Sequence, residues 1–556
     1  MANNATILAP IPWNPSSYWD GNDGLWNTFI LKAGTPEQDF RILPSTAGQE
    51  TWLPNPDGCN TASPANPGYC GYLRGTLPVN GVNSSGFQDN QSSSWILIGP
   101  FTVDSQEASM GYGANALYGF DTVTIGNDSN SLSQNHSVIG SVPDLDFWQG
   151  VFGLGAKSIN FTNFNEPLAG FMRNLVNNKK IPSVSFGYTA GASYRNKSQA
   201  SLTLGGYDRN SFDASTSLSY DMNQDNSRPI QVGVQQIIGE FNGAATNLLP
   251  TPTYHFIDST LSHIWLPSDS IQVFVDTFGL IYDNSTDLFI INDTMREKNL
   301  KKNLTITFVL GNTIVDGNGP TQSITLPYAA FDLQASYPYY ENATNYFPIR
   351  KAANESQYTI GRTFLQEAYL ITDYERNNFT VAKATFDNRK QHLVAITKPT
   401  NQNTTTQHVI HSDTSLPKAV MAGIAIGAIA TFALIFGISY LIVRRNKRRA
   451  ELQPIPLEDP KFNDTDGKPA FQVEKSELPY ENGVYEVLVP NMRHELYGMQ
   501  REIEMEGDLG RAKARPGMSE LASTYADHDG VSSQARGSEA VRYELNDTSP
   551  ENTRKT

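Results

Sequence analysis

Two turns 213 positions apart carry the side chains with chemical potential. The first lies in FRILPSTAGQETWLP (Phe40–Pro54) and offers Ser45 and Thr46; the second lies in HFIDSTLSHIWLP (His255–Pro267) and offers Asp258 and Ser259. A carboxylate such as Asp258 can hold or take a proton from water, the work of a general acid or base. A hydroxyl such as Ser45 can hydrogen-bond that water, but near neutral or acid pH it neither accepts the proton nor supplies one. As a nucleophile Ser45 would need a base. No His is assigned to it, and the chain has no Gly-x-Ser-x-Gly elbow.

Each turn closes an apolar strand and is followed seven positions on by Trp-Leu-Pro, at Trp52–Pro54 and Trp265–Pro267. Two such units imply two equivalent lobes whose turns meet at a shared centre. From about Tyr18 to Thr397 the chain reads as all-β. Runs such as TFILKAG, SWILIGPFTV, SLTLGGYD and ITFVLG alternate in polarity and are bounded by Gly, Asn, Asp and Pro. Helical spacing is best at 167–178 and 268–280, the second with Ser268 as its N-cap. Cys59 and Cys70, the only cysteines, lie eleven positions apart, and in an exported domain such a pair closes a small disulfide loop. No further Cys or His pattern marks a metal site, and nothing calls for a cofactor.

At 556 residues the chain is too long for one core, and its net charge of −15 argues against nucleic acid as a partner. Residues 419–443 run 25 positions without a charge, enough to span a bilayer core of about 30 Å with some tilt. Arg444, Arg445, Lys447, Arg448 and Arg449 follow at once, against a lone Lys418 on the other side. The positive-inside rule then puts the β-rich part outside and the C-terminus in the cytosol, a type I protein of the plasma membrane or another secretory-pathway membrane. Gly423 and Gly427 form a small-xxx-small pair that supports a helix-mediated dimer. The first residues lack the basic and apolar regions of a signal peptide, so either the true start lies upstream of this Met or the membrane helix itself directs insertion. Asn-x-Ser/Thr acceptors concentrate on the outer side, at Asn83, Asn90, Asn127, Asn135, Asn160, Asn196, Asn284, Asn292, Asn303, Asn342, Asn354 and Asn378, with Asn4 and Asn403 near the ends of that region. The polar tail reads as disordered, with an unknown cytosolic partner.

Taken together, LKAGTPEQDFRILPSTAGQETWLP (31–54), GFDTVTIG (119–126), GVFGLG (150–155), HFIDSTLSHIWLP and YTIGRTFLQEAYLITDYERNNFTVAKATF (358–386) resemble, in order, the landmarks of the pepsin-like aspartic peptidases. The resemblance implies a bilobal β-fold with a cleft between its lobes, and a fungal type of surface protein. It also implies a chemistry in which two aspartates share one proton and activate a water, because like charges about 3 Å apart cannot both ionise. Asp258 matches the second aspartate; the first falls on Ser45. Ala47 and Thr260 stand where the family has glycine, Arg362 where it often has aspartate, and Tyr112 is the counterpart of the flap tyrosine, at shortened spacing. Glu50, five residues past Ser45, is the nearest carboxylate in sequence, but its position in the motif heads away from the cleft.

The expected organisation is an N-terminal extension (1–17), an N-terminal lobe (18–210), a C-terminal lobe (211–397), a Thr-rich stalk (398–417), a membrane helix (418–443) and a cytoplasmic tail (444–556). The function expected is an inactive pepsin-like ectodomain serving as a binding, sensor or adhesion protein, with extended peptide or glycan in its cleft. A membrane-anchored aspartic endopeptidase and a structural surface glycoprotein are the alternatives.

Overall fold

The computed structural model describes residues 7–399 apart from 61–66, 104–106, 127–130, 162–164, 242, 316 and 387–389. The membrane helix, the tail and nearly all of the stalk fall outside the described residues. Among the described residues no helix is long and apolar enough to cross a membrane.

Strands dominate, and they form three large sheets. Near the N-terminus, seven strands run in the spatial order Phe29–Ala33, Gln38–Ser45, Gly150–Gly153, Thr51–Pro54, Leu132–Val142, Asn115–Ile125, Ile96–Thr102. Further along the chain, Thr253–Ile257, Thr359–Ile360 and Ile264–Leu266 are neighbours in an eight-stranded sheet. In both sheets a short strand from far along the chain inserts between the strand before the turn and the strand after it. Gly150–Gly153 runs parallel to Gln38–Ser45 and antiparallel to Thr51–Pro54. Thr359–Ile360 runs parallel to Thr253–Ile257 and antiparallel to Ile264–Leu266. With a neighbour on either side, Gln38–Ser45 and Thr51–Pro54 are buried along almost their whole length, whereas Thr253–Ile257 alternates and leaves Tyr254 exposed.

A six-stranded sheet joins the halves, ordered Ile11–Trp13, Ser201–Leu204, Ser185–Thr189, Ala368–Asp373, Asn378–Ala384, Phe212–Asp221. The residues before Tyr18 thus take part in the fold: Ile11 pairs Leu204, and Trp13 pairs Leu202 and sits edge-on to Phe29 and Phe152. One continuous core of buried aliphatic and aromatic side chains runs from Trp13 to Val381.

The helices differ in detail from the sequence expectation. The first is Phe171–Asn177, shorter than 167–178, because Leu168 instead bridges to Ile159 and Gly170 is extended. The second, Ser268–Phe278, stops at Gly279, whose φ of 67° gives a left-handed cap. Ser268 is not its N-cap. Pro267 occupies that position and makes no side-chain cap, and Ser268 is the first helical residue. A further helix, Asp293–Lys301, starts where the Asn292 side chain accepts from the Met295 amide.

Candidate functional site

Ser45 ends its strand opposite Gly153, and the Leu154 amide donates to the Ser45 carbonyl at 2.9 Å. In the other half the Asp258 amide donates to the Ile360 carbonyl at 3.1 Å. Gly153 is required there: a Cβ would stand 2.5 Å from the Gln49 carbonyl carbon and from the Glu50 amide nitrogen. The two turns then lock to each other reciprocally. The Thr46 amide donates to Ser259 Oγ at 2.9 Å, and the Ser259 amide donates to Thr46 Oγ1 at 3.0 Å. Ser259 Oγ donates on to the Pro44 carbonyl at 2.7 Å, and Thr46 Oγ1 to the Ile257 carbonyl at 3.3 Å. Ser45 and Asp258, each one residue before this lock, therefore occupy equivalent positions.

Their chemistry is not equivalent. Ser45 Oγ lies 2.6 Å from Thr260 Oγ1 and accepts from the Gly48 amide at 2.6 Å. Ser45 and Thr260 are thus complementary: a hydroxyl at 260 reaches the hydroxyl at 45. Asp258 is 2% exposed; its Oδ1 accepts from the Thr260 amide at 2.9 Å, while Oδ2 is buried without a hydrogen-bond partner. Burial raises the Asp258 pKa above its ordinary value, more than the Thr260 hydrogen bonds and the charges of Arg228 and Arg362 lower it. Arg362 is buried and donates from one nitrogen to the Ser259 carbonyl at 2.8 Å and the Thr260 carbonyl at 2.7 Å, with Asp23 at 3.4 Å from another. It clamps the backbone of the second turn. The two imidazoles of the second segment are poor substitutes as bases, since burial pushes His255 down to about 3 and His263 well below its ordinary value.

Sequence reasoning passed over Arg228 and Glu107. Arg228 lies in DNSRP, a polar loop without periodicity, and only the tertiary fold brings it to Asp258. Its guanidinium stacks 3.5 Å over the Phe256 ring and donates to Thr359 Oγ1 at 3.1 Å and to the Ser356 carbonyl. The carboxylates acting on it are Asp258, then Glu107, then Asp225. Glu107 belongs to the tip of the hairpin formed by Ile96–Thr102 and Asn115–Ile125, and it is 2% exposed. That tip rests on the other half of the molecule. Thr359 Oγ1 contacts Met110 Sδ at 3.7 Å, the Gln357 side chain donates to the Ser109 carbonyl, and the Tyr112 ring meets Trp265 edge-on at 6.2 Å. Beside Asp258 the remaining cavity, bounded by Thr46, Ala47, Arg228 and Phe256, is about 10 Å³. That is room for about one water.

Tyr112 is thus on the hairpin tip, with its hydroxyl buried and unpartnered. Glu50 points elsewhere: its Oε2 accepts from Trp52 Nε1 at 2.9 Å and from the Tyr118 hydroxyl at 2.6 Å. Cys59 and Cys70 form a disulfide, with Cα atoms 5.6 Å apart. The acceptor asparagines 83, 90, 135, 160, 196, 284, 292, 303, 342 and 354 are exposed, Asn378 is half-buried, and Asn127 lies outside the described residues.

Comparison with known proteins agrees with this geometry. The family model for eukaryotic aspartyl protease matches residues 29–384. The vacuolar aspartic protease of Candida albicans is 25% identical over 190 residues, 33% of this chain and 38% of that protein. Probable vacuolar protease A of Arthroderma benhamiae is 25% identical over 189 residues, 33% and 40% of the two chains. The probable aspartic-type endopeptidase opsB of Aspergillus oryzae is 20% identical over 385 residues, 66% of this chain and 70% of that one. The chain spans about two-fifths of the length of the two vacuolar proteases it matches.

Proposed function

From the premise that this chain belongs to the eukaryotic aspartyl protease family, we propose that its pepsin-like domain is catalytically silent and serves as the binding ectodomain of a single-pass surface protein. The observation that carries this reading is the Ser45–Thr260 pair. Where Asp258 needs a second carboxylate to share its proton, the structure holds a hydroxyl bonded to another hydroxyl at 2.6 Å. A lone acid can polarise a carbonyl when protonated or take a proton from water when ionised, but it cannot do both at once. The hairpin tip packed on the other half and the cavity of about 10 Å³ beside Asp258 add to this, since that cavity has room for about one water.

The apolar run at 419–443 and its basic flank support a type I anchor, and Gly423 and Gly427 support pairing of that helix. The exposed acceptor asparagines support glycosylation of the domain on the outer side of that anchor. Past Ala47 the surface opens into a cavity of about 670 Å³ lined by Gly155, Lys157, Asn223, Tyr374 and Arg376, which has room for a peptide or glycan segment. The tail, with a cytosolic partner, supplies the output.

Hydrolysis of a mixed peptide library at about pH 3–6 tests the reading. The expected result is no cleavage above that of an Asp258→Asn chain. Pepstatin-sensitive cleavage that disappears in Asp258→Asn contradicts it.

One observation favours the second reading, a membrane-anchored aspartic endopeptidase. Glu107 is a buried carboxylate whose charge reaches the same Arg228 as that of Asp258. In that case Glu107→Gln would abolish cleavage as completely as Asp258→Asn.

A further inference from the structure

Four arginines are buried among the described residues, and three of them make hydrogen bonds or ion pairs with the protein, although Nε of Arg41 and of Arg362 is left without a partner. Arg41 pairs with Asp20 at 3.0 Å and donates to the Tyr72 carbonyl. Arg74 donates to the carbonyls of Val142, Pro143, Asp144, Phe147 and Trp148. Arg362 holds Ser259, Thr260 and Asp23. Arg350, the fourth, is 7% exposed and has neither a hydrogen bond nor an ion pair among the described residues, and its Nε is buried without a partner. Its neighbours are ring faces: Tyr112 and Trp265 at 5.7 Å and Tyr339 at 5.9 Å. Two of those rings carry orphaned donors of their own, Tyr112 Oη and Trp265 Nε1.

All four side chains line a cavity of about 670 Å³ between the hairpin tip and the strand Ile349–Lys351. Lys351, Asp146 and Asp287 also line it. The two carboxylates act on Arg350 through space without pairing with it, and Asp287 Oδ1 is engaged by the Tyr282 hydroxyl at 2.5 Å. Arg350 sits among aromatic rings without an acceptor among the described residues, and of the orphaned atoms nearby Arg350 Nε and Trp265 Nε1 can only donate while the Tyr112 hydroxyl can do either. A planar carboxylate matches the guanidinium fork and gains from the desolvated walls.

We propose that this cavity is a carboxylate-binding site, in which Arg350 receives the acidic side chain of a bound peptide and Tyr112, Trp265 and Tyr339 form its walls. The inference goes beyond the reading above, because neither Ser45 nor Asp258 lines the cavity. It therefore holds whether or not the dyad position is silent.

The test is calorimetric titration of the purified full chain in detergent with an acetylated, amidated alanine-based peptide carrying one Glu, and with its Gln counterpart. The Glu peptide is expected to bind about tenfold tighter or more, the worth of a charge-assisted hydrogen bond. Arg350→Met is expected to erase that preference while the chain still melts cooperatively, since Arg350 gives up ring contacts but no hydrogen bond or ion pair. Equal binding of the two peptides by the native chain overturns the proposal without recourse to any variant. A preference that survives in a folded Arg350→Met chain also overturns it. So does binding of oligogalacturonate with no binding of the Glu peptide, which would assign the site to acidic sugars instead.

Discussion

Ser45 and Thr260 act on each other, and the consequence is a substitution that one mutation does not reverse. With Thr260 Oγ1 already 2.6 Å from Ser45 Oγ, a longer carboxylate at position 45 meets that hydroxyl. Ser45→Asp alone is expected to lower the melting temperature, with a stability loss of about 1–3 kcal/mol from overpacking. Adding Thr260→Gly is expected to recover part of it. A single Ser45→Asp chain as stable as the native one contradicts this packing. Asp258 makes an opposite kind of prediction. Because its folded pKa is raised above the ordinary 3.8, the folded state holds the proton more tightly than the unfolded state. Its contribution to stability is complete below the unfolded value and is lost as pH rises through the raised value. Asp258→Asn, which never ionises, should therefore melt higher than the native chain near neutral pH and level with it near pH 3.8. A difference that does not vary with pH would count against burial as the cause. Arg362 is a third case at this scale. Replacing it with Met strands two carbonyls and Asp23, and unfolding experiments should show a loss of about 3–5 kcal/mol.

Among elements, the hairpin tip sets how the site behaves. Glu107–Met110 is a short 3₁₀ turn, and alone it would fray. It is held by contacts to Glu355–Gln357 and Thr359 across the cleft, and by the charge that Arg228 shares between Glu107 and Asp258. Hydrogen exchange should find the tip protected in the native chain. Arg228→Ala is expected to speed exchange at residues 107–114 by about tenfold while the central strands stay unchanged, the pattern of local rather than global opening. Equal protection in both chains would show that apolar packing of Met110 and Tyr112 suffices to close the cleft. The disulfide belongs to this scale too. Cys59–Cys70 closes a small loop behind the first turn, and Cys70→Ser is expected to cost about 2–3 kcal/mol, read from denaturant midpoints under oxidising conditions.

For the molecule as a whole, the parts legible in the sequence were those with a local signature. The paired turns, the glycines of GVFGLG and the Cys59–Cys70 loop each depend on residues a few positions apart, so their pattern survives in one dimension. The Ser268–Phe278 helix was legible from its spacing, although its cap was misread, because Pro at 267 already fixes the chain entry and Ser268 is drawn into the first turn. Features made by long-range contact were not legible. Ile11–Trp13 joins a sheet through Ser201–Leu204, nearly two hundred residues away, and a three-residue strand has no periodicity to read. Arg228 and Arg350 look like ordinary loop and strand cations until the fold places one beside Asp258 and buries the other among three rings. The Ser45–Thr260 contact was half legible: both departures from the family pattern stood out, but only the geometry showed that each answers the other.

The most direct measurement is a carbon-13 titration of the Asp258 carboxyl in the folded domain, followed by chemical shift. A lone acid at this site predicts a single protonation step with a midpoint above 3.8, and still a single step when Glu107 is replaced by Gln, displaced only by the lost charge beside Arg228. Two coupled steps, with the second abolished in Glu107→Gln, would show a proton shared between two carboxylates and contradict a silent site.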